Sequence, residues 1–159
     1  IPLEVAENII DQLGGQIHSL RKCALTCRGW NRHARYHLVA AIRVRSREDL
    51  YSICDYFTSN PRMASLVRTL SMSPAETEKR LFLLEVLPVD LLKRLPNLQR
   101  YSILCERWLN SPSVSFHDTT LLHIKTYLHV EELNLDHLNF RTSVQLARVL
   151  MALPRLRRL

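Results

Sequence analysis

The chain has 159 residues, 47% of them hydrophobic and 23% charged, with a formal net charge of +7. That length suits one compact domain, or a small module joined to a short repeat array. It also lets about 70% of the extended surface be buried without metal or disulfide staples. No apolar run approaches the ~20 residues of a membrane span, and no secretory leader pattern opens the chain, so an intracellular protein of cytoplasm or nucleus, with no membrane partner, is expected. The four cysteines (Cys23, Cys27, Cys54, Cys105) are sparse and read as reduced core thiols.

In chain order, Pro2 opens a first helix, with Glu4 and Glu7 in its early turns, where acids oppose the positive helix end. Val5, Ile9 and Leu13 recur every four residues and Ala6 and Ile10 widen the stripe, until Gly14 is expected to supply a left-handed stop. A second helix is expected from Leu20 to Trp30, capped by Ser19, with Leu20, Cys23, Ala24, Cys27 and Trp30 on its apolar face. A short basic helix then leads into a strand. Residues 1–20 carry acids and no Lys or Arg, whereas Arg21, Lys22, Arg28, Arg32, Arg35, Arg43, Arg45 and Arg47 follow with no acid between them. This asymmetry raises nucleic acid as a partner, but a solvated helix face explains it better, because the bases spread over three elements. Three short helices with broad stripes cannot enclose a full core, so some apolar surface is left for a partner.

Beyond Val44 strands alternate with helices. Ser46 is placed to cap a helix with Glu48 and Asp49 in its first turn and Leu50, Ile53, Cys54 and Phe57 on its buried face; Asn60-Pro61 ends it. Four segments then share an apolar-x-x-apolar-x-apolar pattern: Val67-Leu70-Met72, Leu98-Tyr101-Ile103, Val130-Leu133-Leu135 and the cut-off Leu156-Leu159. They start 31, 32 and 26 residues apart. The phrase Leu-Pro-x-Leu introduces two of them, at Leu95 and Leu153. Helical stretches are expected at 75–95, 118–127 and 142–152. Strand parity places Thr69 and Ser71, Arg100 and Ser102, Glu132 and Asn134, and then Arg158 on one polar face.

Chemistry is hard to find. His33 and His37 stand one helical turn apart, a zinc spacing, but Ala34 occupies the place of a zinc protease's general base and no third ligand is evident, so no metal and no cofactor are expected. Cys23 and Cys27 are not a C-x-x-C knuckle. With three glycines in all, no phosphate loop or nucleophile elbow can be written, and the chain does not read as an enzyme.

The order Ile1-Pro2-x-Glu4, an apolar first helix ending near Leu13, "SLRKCALTCRGW" and the closing "RYHL" resembles an F-box. Ile1 replaces the usual Leu, and Leu3 stands where an acid is common. The later segments, "VEELNLDHLNF…LARVLMALPRLRRL" above all, resemble the degenerate leucine-rich repeats of fungal F-box proteins. The resemblance implies an α/β architecture: an F-box over residues 1–41, then an irregular strand-helix solenoid over 42–159, truncated at its C-terminus. It further implies a substrate-recognition adaptor of an SCF-type ubiquitin ligase. Pro2, Ile9, Ile10, Leu13, Leu20 and Trp30 match positions that contact the Skp linker subunit or hold the motif together. The polar face of Thr69, Ser71, Arg100, Ser102, Glu132, Asn134 and Arg158 would meet an unknown protein substrate. The alternative is a basic helical nucleic-acid-binding domain using Arg28, Arg32 and Arg35, in which Trp30, Tyr36 and Leu38 interrupt the groove-facing stripe.

Overall fold

A computed structural model describes residues 2–73, 89–91, 94–104 and 116–159. The chain divides into two compact units, Ile1–Ile42 and Arg43–Leu159. Among the described residues the fold is mixed α/β, with seven helices and one four-stranded sheet. The expected helix across 75–95 falls mostly outside the described residues, as do Ile1 and Cys105.

The first unit is three helices: α1 (Leu3–Gln12), α2 (Ile17–Thr26) and α3 (Arg28–Ala40). Ile10, Leu20 and Ala34, one from each helix, form its fully buried centre, and Leu13, Cys23, Ala24, Trp30 and Leu38 pack around them. The left-handed residue after α1 is Gly15 (φ +86°), not Gly14; its backbone, and not lack of space, is what calls for glycine there. Ser19 is not a cap. It lies inside α2, and Gln16 holds the capping position. Nor does the second helix run on to Trp30. Cys27 is extended (φ −157°, ψ 169°), its carbonyl accepts the Asn31 N–H at 2.9 Å to open α3, and the Asn31 side chain donates to the Ala24 carbonyl at 2.6 Å. Asn31 thereby satisfies a free carbonyl at the end of α2, which lets the chain break there. Trp30 therefore belongs to α3, and Cys27 is exposed and outside the core.

The sheet has the order β1 (Ala41–Val44), β2 (Thr69–Met72), β3 (Arg100–Leu104) and β4 (Glu132–Asp136); β1 carries the chain across the unit boundary, and the other three strands lie in the second unit. Strands β2, β3 and β4 are parallel, and their register aligns Leu70 with Tyr101 and Leu133, all buried. Between strands run α4 (Arg47–Ser59), α5 (Pro61–Ala64) and α6 (Asp118–Ile124), and α7 (Ser143–Met151) follows β4. One backbone device recurs at the entry to successive strands. The Arg68 carbonyl accepts from the N–H groups of Gln99 and Arg100, that of Gln99 from Glu131 and Glu132, and that of Glu131 from Arg157 and Arg158. Three turns of chain are thus stacked with the same hydrogen-bond geometry. The last is not a strand but a parallel bridge from Arg158 to Glu132.

Helix α4 begins as expected. The Ser46 hydroxyl accepts from the Asp49 N–H at 3.2 Å, and the Asp49 carboxylate reaches back to the Arg45 N–H at 2.9 Å, a reciprocal pair that satisfies two orphan donors. Ser46→Ala should therefore cost about 1 kcal/mol. Ser46→Asp should retain most of the stability, as read from urea unfolding midpoints.

Candidate functional site

Two surfaces gather the residues singled out by sequence, one in each unit. On α1 the core side is Ala6, Ile10 and Leu13, and Pro2, Val5 and Ile9 lie along one flank at three-and-four spacing. All three are exposed, Ile9 by 46%. Of the six residues expected at a linker contact, Pro2 and Ile9 face solvent. Ile10 and Leu20 are sealed inside, and Leu13 and Trp30 are half-buried against them. Val5 was legible only as part of the stripe, because periodicity alone does not say which edge of a broad stripe stays uncovered. Leu25, 87% exposed on α2, adds an isolated apolar side chain. On α3 Arg28, Arg32 and Arg35 are exposed, and their spacing sets them along one stripe.

The opposite flank of α1 is polar and turns to α3. Asp11 Oδ1 lies 2.7 Å from His33 Nε2 and 2.7 Å from His37 Nε2, and Glu7 approaches His33 Nδ1 at 3.9 Å. These hydrogen bonds hold the Asp11 carboxyl below the usual carboxylate range. The expectation that the two histidines have no third partner is therefore corrected. The missing donor comes from another helix, 22 and 26 residues away in sequence.

In the second unit all seven residues of the expected polar face do share one face of the sheet. The register sets Thr69 opposite Arg100 and Arg100 opposite Glu132, and Glu132 bridges to Arg158; Ser71, Ser102 and Asn134 form a second row. Glu132 is the electrostatic centre of the first row, with its Oε2 2.9 Å from Arg100 Nε and 3.5 Å from Arg158 Nη2. The row floors a cavity of about 310 Å³ that Arg68, Gln99 and Glu131 also line. Those three were not singled out by strand parity, because they sit in the turn before each strand, where the carbonyl-sharing device brings them round.

No family model, curated protein or solved structure matches this chain. What the sites can do therefore rests on their own chemistry. The α1 strip offers exposed apolar side chains along one helix flank, which suits a protein partner. The sheet face offers paired charges and hydroxyls over three turns of chain, which suits an extended polar segment. Among the described residues no helix is long and apolar enough to cross a membrane.

Proposed function

We propose that the chain is an adaptor: an F-box that docks on the Skp linker of an SCF-type ubiquitin ligase, followed by leucine-rich-repeat-like turns whose polar face holds a protein substrate. The observation that carries this reading is the uncovered strip of Pro2, Val5 and Ile9 on a unit that fully buries only Ala6, Ile10, Leu20 and Ala34 among its described residues. A unit with so small a centre and so much apolar flank gains stability by covering that flank with a partner. The repeated carbonyl-sharing turns and the aligned polar rows support the second half of the reading. Turnover in such an adaptor is a matter of proximity, since one module anchors the chain and the other raises the local concentration of the bound protein at the ligase.

The decisive measurement is co-purification of the full chain with a Skp linker. Ile9→Asp should weaken it by roughly 100-fold, because a carboxylate forced into an apolar contact costs a few kcal/mol. The variant's circular dichroism should match the parent, since Ile9 is half exposed in the free chain. Equal capture of parent and variant, or no capture of the parent, would overturn the reading. DNA binding that falls steeply with salt would instead mark the Arg28-Arg32-Arg35 stripe as a phosphate-contacting surface.

A further inference from the structure

The geometry points to a divalent transition-metal site, best suited to zinc, formed by Asp11 Oδ1, His33 Nε2 and His37 Nε2 where α1 meets α3. It is independent of the docking reading, because it lies on the other flank of α1. The three donor atoms fall within 4.8 Å of one another, and they are the donor types that zinc takes in its three-ligand sites. The histidine pair sits at i and i+4 on α3, so one helix face presents both rings, with centroids 5.3 Å apart. Two ligands on one tetrahedral zinc stand roughly 3.3 Å apart, given bonds of about 2.0–2.1 Å. The 2.7 Å separations of Asp11 from each histidine would open by about half an ångström, and the two histidine nitrogens, within 4.8 Å of each other, would settle at the same spacing.

Two further features suit a metal centre. Both imidazoles turn the same nitrogen, Nε2, to one carboxylate oxygen, which gathers the three donor atoms in one place. The other nitrogen of His33 is approached by Glu7, in the manner of the carboxylates that orient metal-bound histidines. Partial exposure of the three side chains leaves room for water as a fourth ligand. The set is oxygen and nitrogen only, which favours zinc, cobalt or nickel over calcium or magnesium. Bound metal would tie α1 to α3 and stabilise the unit by mass action.

The test is titration of the chelator-treated full chain with cobalt(II), followed by displacement with zinc. The expected result is one equivalent, tetrahedral visible bands and no thiolate-to-cobalt charge-transfer band. Asp11→Asn and His37→Ala should each abolish the bands, Glu7→Gln should lower affinity roughly 10-fold, and Cys23→Ser and Cys27→Ser should change nothing. Should a ligand variant misfold, proton–nitrogen correlation spectra of the unmutated chain decide the matter, since zinc must shift the Nε2 resonances of both histidines. No saturable binding, a sulfur charge-transfer band, unshifted imidazoles, or bands that survive in folded His37→Ala would each overturn the site.

Discussion

Leu20→Asp should unfold the first unit and not merely blunt a surface. Leu20 is 1% exposed and sits with Ile10 and Ala34, one residue from each helix, in the buried centre of the unit. Removing an isobutyl group there forfeits about 2–5 kcal/mol even when the space is left apolar. Placing a carboxylate in it adds a desolvation cost of several kcal/mol, unless the group takes up a proton. No cationic side chain is part of that centre to pair with it. A 42-residue unit has little reserve, so the loss should exceed its stability. Circular dichroism should show helix lost, and hydrogen exchange should show protection falling across α1, α2 and α3 together. Leu20→Met, which keeps the volume, should cost under about 1.5 kcal/mol. A Leu20→Asp chain with native helicity and protection would show that the three helices do not share one core. The contrast with Ile9→Asp is informative: the same charge, half-exposed on α1 and not inside, should leave the fold in place.

What could be read from sequence follows from how local each signal is. The parity of β2, β3 and β4 was legible because alternation with a period of two survives any topology. The observed register then set Thr69, Arg100, Glu132 and Arg158 in one row, although no single strand reveals that alignment. The start of α4 was legible because Ser46 and Asp49 act within one turn. The break between α2 and α3 was not, since Leu20, Cys23, Ala24, Cys27 and Trp30 continue the three-and-four spacing straight through it. The deciding interaction is Asn31 reaching back to Ala24, a side-chain bond that leaves no periodic trace. Likewise the histidine pair looked incomplete, because Asp11 lies on another helix and only the α1–α3 crossing brings it near. Local chemistry is written in the sequence; convergence between elements is not.

Stability of the second unit should collapse on the alkaline side, and two tyrosines should account for it. Tyr101 on β3 and Tyr127 after α6 are 3% exposed, with ring centroids 5.9 Å apart. Neither hydroxyl has a hydrogen-bond partner among the described residues. Burial pushes both phenols well above their ordinary range, and at Tyr127 the neighbouring Tyr101 adds to the shift. A phenol in the unfolded chain ionises near pH 10. Above that pH the unfolded chain has released protons that the folded chain still holds, so stability is complete below about pH 10 and falls as pH rises toward the folded values. Each tyrosine contributes a slope of about 1.4 kcal/mol per pH unit there, and the pair about twice that. Urea midpoints measured across this range should fall steeply for the parent, about half as steeply for Tyr101→Phe or Tyr127→Phe, and least for the double variant. At neutral pH the same variants should be neutral or more stable by about 1 kcal/mol, because each removes a buried hydroxyl that lacks a partner. The absorbance of the phenolates gives an independent reading. The sequence has five tyrosines, and these two should ionise only as the sheet unfolds. If both phenols titrate near pH 10 in the folded chain, water reaches them, and the core between β3 and α6 is not closed as described.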